Sequence, residues 1–301
     1  MYDGPELLPY AAVPARLRYC FFIGFRPSPA NIQMLSVAKV AMIGAFTALA
    51  SQFPPPESAR EDGLLCMGGD LRPERLIAAY SRGIFPWYSQ GVPILWWSPD
   101  PRCVMPLEGF RLPPRSARKL RLHPFELTHN AAFGRVIRAC ATPRDKEGGT
   151  WIIDDMMRAY EDLHALGYAH SIEAWHDGEL VGGLYGVALG RAFFGESMFH
   201  TKSEASRAAL VGLVALLRQR GATLLDCQQE TPHIMRMGGV MLPRAAFQAE
   251  LKRALAPQTQ TGAAHGCATP EMAGNNEPFP WLPWGLVYSY SPSDGFWLAR
   301  S

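Results

Sequence analysis

The apolar and polar positions between residues 170 and 228 change period twice. Residues 171–175 alternate with the two-residue rhythm of a strand, and His176-Asp177-Gly178 supplies a turn. A Gly-rich strand follows over 180–189, Gly190-Arg191 turns again, and a third strand runs over 192–199. The period then becomes helical: Leu210, Leu213, Val214 and Leu217 form one apolar stripe. Ser203 and Ser206 are N-cap candidates, and Gly221 stands where a left-handed C-cap falls. Residues 223–228 read as a closing strand. A helical crossover of this length returns its second strand parallel to the first, so the pattern predicts a mixed sheet.

Simple alternation places Glu196 and Met198 on one face of the third strand, with Ser197 and Phe199 on the other. It likewise places Asp226 and Gln228 together, opposite Cys227. Polar side chains at the end of an apolar strand need buried partners or an opening there. Upstream, Asp70 as N-cap and Pro73 at the first turn predict a helix over 74–82, ended by Gly83. Aromatic residues crowd 85–88 and 95–97, and the Pro-rich 97–102 reads as a stiff connection. A helix is expected over 130–141, a polar turn over 143–149, and a helix over 154–166 opened by Trp151 and carrying Tyr160.

These elements predict an α+β chain: a mixed sheet with helices on both faces, preceded by a small N-terminal α+β domain. The expected divisions are an extension (1–52), the small domain (53–102), the main domain (103–256) and a flexible or docked tail (257–301). The 301 residues, 48% hydrophobic, suffice for a large core. The net charge of +2 leaves nucleic-acid binding to local patches. One patch stands out: residues 110–125 hold no acid, yet carry Arg111, Arg115, Arg118, Lys119 and Arg121. Six scattered cysteines without a Cys-x-x-Cys pair argue against zinc or a disulfide framework and fit a reducing cytosol. The apolar 34–50 is short for a membrane span and is interrupted by Lys39.

Several strings together resemble one family. Gly-Leu-Leu-Cys-Met-Gly-Gly-Asp-Leu (63–71), Tyr-Ser-Arg-Gly-Ile-Phe-Pro-Trp (80–87) and Trp-Trp-Ser-Pro-Asp-Pro-Arg (96–102) occur first. Gly-Thr-Trp-Ile (149–152), Ala-Tyr (159–160), His-Ser-Ile-Glu (170–173), Gly-Glu-Ser-Met-Phe (195–199) and Asp-Cys-Gln (226–228) come after them in order. Over about 53–251 the chain resembles the leucyl/phenylalanyl-tRNA–protein transferases. Relatives in that family begin shortly before the Phe-Pro string, which places an expected natural start near Met34 or Met42.

The resemblance implies an acetyltransferase-like (GNAT-related) fold and transfer of Leu or Phe, and less well Met, from aminoacyl-tRNA. The acceptor is the α-amine of a protein beginning with Arg or Lys, which is thereby marked for degradation; no cofactor and no membrane are implied, and a cytoplasmic monomer is expected. Asp226, Gln228 and Glu196 are the implied catalytic residues. Asp226 would bind the acceptor's basic N-terminus, Gln228 would align the amine or carbonyl, and Glu196 would orient the aminoacyl group or a water. Phe193, Met198, Leu213, Leu217 and Leu225 would line or back an apolar pocket; Leu213 and Leu217 stand where some relatives have Phe, and Leu184 where some have Met. Trp87, Trp151 and Tyr160 would hold the terminal adenosine, with Tyr80 at the mouth of the site, and the basic run would meet tRNA phosphates. Two alternatives remain: a coenzyme-A-dependent N-acyltransferase and a non-catalytic tRNA-binding module. The glycine-free stretch 199–206 before the central helix argues against coenzyme A, whose pyrophosphate would sit on a Gly-rich loop there.

Overall fold

A computed structural model describes residues 52–123, 125–142 and 152–256, together with the backbone of 287–290 and 297–300. Residues 1–51 of the N-terminal extension, the 143–149 turn and Trp151 lie outside the described residues.

The first described elements are β1 (Leu64–Met67), α1 (Pro73–Tyr80), β2 (Phe85–Pro86) and β3 (Leu95–Trp97), whose strands pair in the order β1-β3-β2. Pro73 opens α1 as expected. Asp70, however, sits two residues before the cap position: its carboxylate accepts the Arg72 N–H and the Arg75 Nε–H. The buried side chains of this segment, among them Leu76, Tyr80, Phe85 and Trp96, belong to the same core as those of the main sheet. The small sheet is therefore a separate ladder without a separate core.

The main sheet is built from β4 (Arg102–Val104), β5 (Glu126–His129), β6 (Ala169–His176), β7 (Glu179–Leu189), β8 (Ala192–His200), β9 (Leu224–Gln228) and β10 (Val240–Leu242). The backbone of β11 (Val287–Tyr290) and β12 (Trp297–Arg300) extends it beyond β5, giving the order β10-β4-β9-β8-β7-β6-β5-β11-β12. All neighbours are antiparallel except β8 and β9, which the crossover helix α5 (Ala205–Gln219) makes parallel. The remaining helices are α2 (Pro114–Leu122), α3 (Phe133–Ala141), α4 (Asp154–Ala165), α6 (Pro232–Arg236) and α7 (Arg244–Leu255). Side chains of α1, α3, α4 and α7 share one apolar cluster; those of α2 and α5 share the cluster on the opposite face of the sheet. Both faces are covered, as the strand–helix pattern predicts.

Helix α5 starts differently from expectation. Neither Ser203 nor Ser206 caps it; Glu204 holds the N-cap position with φ of 72° and no side-chain cap bond. Ser203 meets Lys119 Nζ and Ser206 meets His200 instead. Glycine brings the start of this helix onto β7: a Cβ on Gly182 would lie 2.5 Å from that of Ala205. Helix α3 begins at Phe133 rather than 130, because Asn130 is left-handed and its side chain bonds the Ser171 N–H and His170 on β6.

Two irregularities interrupt the main sheet. In β8, Tyr185 pairs with Ser197 and Gly186 with Gly195, so Glu196 is an extra residue, a β-bulge. In the β4–β9 ladder, Val104 pairs with Asp226 and Cys103 with Gln228, which makes Cys227 extra. The parallel ladder between β8 and β9 ends at Phe194↔Asp226, whereas β8 continues to His200. The two strands thus part where the polar residues begin.

Candidate active site

The bulge overturns the face assignment for Glu196. Met198 packs against the α5-side cluster, whereas Glu196 turns toward Tyr80 and Tyr160, whose rings lie in the opposite cluster. One additional residue between 195 and 197 breaks the alternation from which the expectation was drawn.

Glu196 is the centre of a buried network. Its Oε1 accepts the Tyr80 hydroxyl at 2.7 Å and Gln228 Nε2 at 2.9 Å, and its Oε2 accepts the Tyr160 hydroxyl at 2.9 Å. The two tyrosine hydroxyls also lie against each other, so that contact can only share a proton that one of them directs toward Glu196. Burial raises the Glu196 carboxyl, the two phenol donors oppose that rise, and the result stands at about 7. Burial also pushes both tyrosines well above their ordinary range, so they remain neutral donors.

Tyr80 and Tyr160 were expected at the mouth of the site and against an adenosine. Instead both rings are fully buried, and their polar ends are committed to Glu196. Neither ring offers a face on which a base could stack. Trp87 differs: it is 39% exposed, lies against the Trp97 ring at 5.6 Å, and its carbonyl accepts the Trp97 indole N–H.

Asp226 is also fully buried, and its oxygens are taken. Arg102 Nε donates to Oδ1 at 2.9 Å and Nη2 to Oδ2 at 2.7 Å; the backbone N–H of Gln228 also reaches Oδ1 at 2.8 Å. With a guanidinium already on both oxygens, Asp226 has no carboxylate edge left for an incoming ammonium, which departs from the expected binding role. The donors to Glu196, by contrast, are all neutral. Asp226 and Gln228 do share a face, but through a left-handed Gln228 at φ 62° rather than a regular strand. Because the Gln228 amide nitrogen is given to Glu196, its carbonyl oxygen is the end left to accept.

The expected pocket residues Phe193, Leu213, Leu217 and Leu225 are buried together in the α5-side cluster, as is Leu184, with Met198 half-buried against them. They sit across the sheet from the tyrosines, on either side of the point where β8 and β9 part. On α2, Arg115, Arg118 and Arg121 are exposed, as is Arg111 just before it. Lys119 is partly exposed, but its ammonium lies 3.5 Å from Glu204, which offsets its charge.

Arg102 completes the network, and the apolar and polar pattern of the chain did not point to it. It is almost fully buried, and its guanidinium carbon lies 4.6 Å from the Phe85 ring centre and 4.8 Å from that of Phe247. A signal for it existed: an arginine opening an apolar strand, in a chain whose buried Asp226 required a counter-charge.

Known proteins share this chain's sequence through both halves of the network. A family profile described as "Leucyl/phenylalanyl-tRNA protein transferase" matches residues 104–252, and the profile of that family's N-terminal domain matches 69–100. The leucyl/phenylalanyl-tRNA–protein transferase of Nitratidesulfovibrio vulgaris is 54% identical over 70% of this chain and 90% of that protein. The protein of the same name from Syntrophotalea carbinolica is 56% identical over 67% of this chain and 88% of its own length. The chain belongs to the leucyl/phenylalanyl-tRNA–protein transferase family. It is accordingly an aminoacyltransferase enzyme. The two matched segments carry Tyr80, Trp87, Glu196, Asp226 and Gln228, so the buried network of this transferase spans both.

Proposed function

We propose that this transferase moves leucine or phenylalanine, and methionine less well, from the 3′-terminal ribose of aminoacyl-tRNA to a protein's N-terminal Arg or Lys. It works in the cytoplasm as a monomer without a cofactor, and the residue it adds marks the acceptor for degradation. Family membership supports the reaction class. The observation that carries the site is the buried Glu196, which accepts Tyr80, Tyr160 and Gln228 where β8 and β9 part. An acetyltransferase-like architecture accords with that parting of parallel strands beside a crossover helix.

The reaction exchanges an ester for an amide. The C–N bond forms as the neutral α-amine attacks the ester carbon, and the C–O bond to the ribose breaks. The amine nitrogen gives up a proton, and the departing 3′ oxygen gains one. Glu196 takes the first proton and returns it to the second position. Gln228, its amide nitrogen on Glu196, turns its carbonyl oxygen to the amine N–H; a neutral amide aligns the amine but is too weak a base to deprotonate it. Phe193, Met198, Leu213, Leu217 and Leu225 back the aminoacyl side chain. An apolar pocket discriminates by only ~1–3 kcal/mol per methylene, which is why Met ranks behind Leu and Phe without being refused. Trp87 stacks on the adenosine together with Trp151, and the exposed arginines of α2 meet phosphates.

Radiolabelled Leu-tRNA incubated with an Arg-started acceptor tests this reading. Transfer that disappears after ribonuclease treatment of the donor supports it. Transfer from an acyl-coenzyme A alone, or tRNA binding without transfer, overturns it.

A further inference from the structure

Arg102, at the start of β4, meets elements from three separate parts of the chain beside the site. Its carboxylate partner is on β9, one aromatic neighbour is on β2 and the other is on α7. The bidentate geometry fixes the plane of the Asp226 carboxylate as well as its position. That carboxylate then accepts the backbone N–H of Gln228, the residue whose left-handed backbone turns its amide onto Glu196. A left-handed non-glycine residue persists only where its surroundings impose it, and the Asp226 carboxylate is a buried, immobile anchor for this one.

We propose that Arg102 is a positioning residue for transfer: clamped between the Phe85 and Phe247 rings, it holds Asp226 so that Asp226 fixes the Gln228 backbone and thereby aims the Gln228 side chain at Glu196 and the attacking amine. This rests on the transferase reading of the site and adds a residue to it. The proposal assigns Asp226 a supporting task, consistent with its having no exposed oxygen. It also explains why the aromatic segment 80–97 belongs to the active enzyme: Phe85 supplies half of the clamp.

A competing view is that the buried pair only stabilises the fold, and the two views separate experimentally. Replacing one member of a buried ion pair leaves the other uncompensated, whereas replacing both by apolar groups of similar size is often neutral for stability. The Arg102→Met/Asp226→Leu double variant is therefore expected to fold with a Tm near that of the parent. Its kcat is expected to fall about a hundredfold, the scale of an ångström-sized misplacement of a reacting group, with KM for Leu-tRNA within about twofold. Arg102→Lys, which keeps the charge and loses the fork, should recover part of that loss. Gln228→Ala supplies the decisive comparison. If Arg102 acts through Gln228, adding Arg102→Met to Gln228→Ala costs little more than Gln228→Ala alone.

Parent-like kcat in the folded double variant would overturn the proposal, as would losses that multiply when Arg102→Met and Gln228→Ala are combined. Because the Gln228→Ala comparison can be made by single-turnover transfer on whatever fraction is folded, poor folding of one variant does not rescue the idea. Absence of transfer by the parent protein sinks the transferase reading and this proposal together; transfer by the parent with unaffected Arg102 variants sinks this proposal alone.

Discussion

A single carboxyl decides how the site responds to pH. Burial favours the protonated form of Glu196, while the Tyr80 and Tyr160 hydroxyls favour the anion, and the balance of these opposing effects is a group that titrates near 7. If Glu196 accepts the amine proton, kcat/KM falls as pH drops through about 7, and Glu196→Gln loses both that limb and about 10²–10⁴ in rate. Tyr80→Phe and Tyr160→Phe each remove a donor to the anion, so each moves the limb to higher pH while retaining part of the rate. A pH–rate profile of the three variants checks this; a limb that persists unmoved in Glu196→Gln excludes Glu196 as proton acceptor. A second buried acid, Glu173, has a different task. It accepts Thr128 and Ser171 hydroxyls and the backbone N–H groups of Ala131 and Ala132 ahead of α3, so the His-Ser-Ile-Glu string is architectural at its last position.

At the scale of elements, the alternation and the helical stripe made the strand–helix–strand core legible, together with its parallel pairing. The bulges were not legible, because an extra residue leaves no mark in a run such as Gly-Glu-Ser-Met: each position still suits a strand, and only the partner strand reveals which one is unpaired. The destination of Tyr80 was hidden for a related reason, since its partners Tyr160 and Glu196 are 80 and 116 residues away in sequence. The basic helix α2 was readable as a patch, but not the diversion of Lys119 to Glu204, which depends on how α2 lies against the start of α5. Arg115, Arg118 and Arg121 remain exposed, so the effect on tRNA belongs to them. Replacing each by Gln should raise KM for aminoacyl-tRNA and leave kcat unchanged. Each phosphate that is no longer neutralised should flatten the log–log salt dependence by about 0.7–0.9. Lys119→Gln should change that slope least. Binding titrations over a range of salt check it; an unchanged slope in the triple arginine variant would remove α2 from the tRNA surface.

Taken as a whole, the molecule carries buried groups that pull its stability in opposite directions over one pH range. His129, at the end of β5, is lowered to about 4 and His170, stacked on it from β6, is lowered well below 6.5. Burial is the main cause for both, and the positive charges of His164 and Arg220 add to it. Among the described residues no helix is long and apolar enough to cross a membrane. As pH falls from 6.5, the unfolded chain protonates these histidines before the folded protein does, and each removes up to about 1.4 kcal/mol of stability per pH unit. Glu196 acts the other way: the folded protein takes its proton at about 7, the unfolded chain only near 4.5, so this group adds stability as pH falls between those values. Between pH 6.5 and 4.5 the loss from His129 and the gain from Glu196 are of similar size and opposite sign, and His170 adds to the loss. Urea unfolding of the parent against Glu196→Gln and His129→Phe isolates these groups, because other titrating residues cancel in the comparison. Glu196→Gln should steepen the acid loss by one group's slope and His129→Phe should flatten it by the same amount. Parallel curves for parent and Glu196→Gln would mean that the carboxyl is ionised throughout, and the proton-accepting role would lose its electrostatic basis even if the rate still fell.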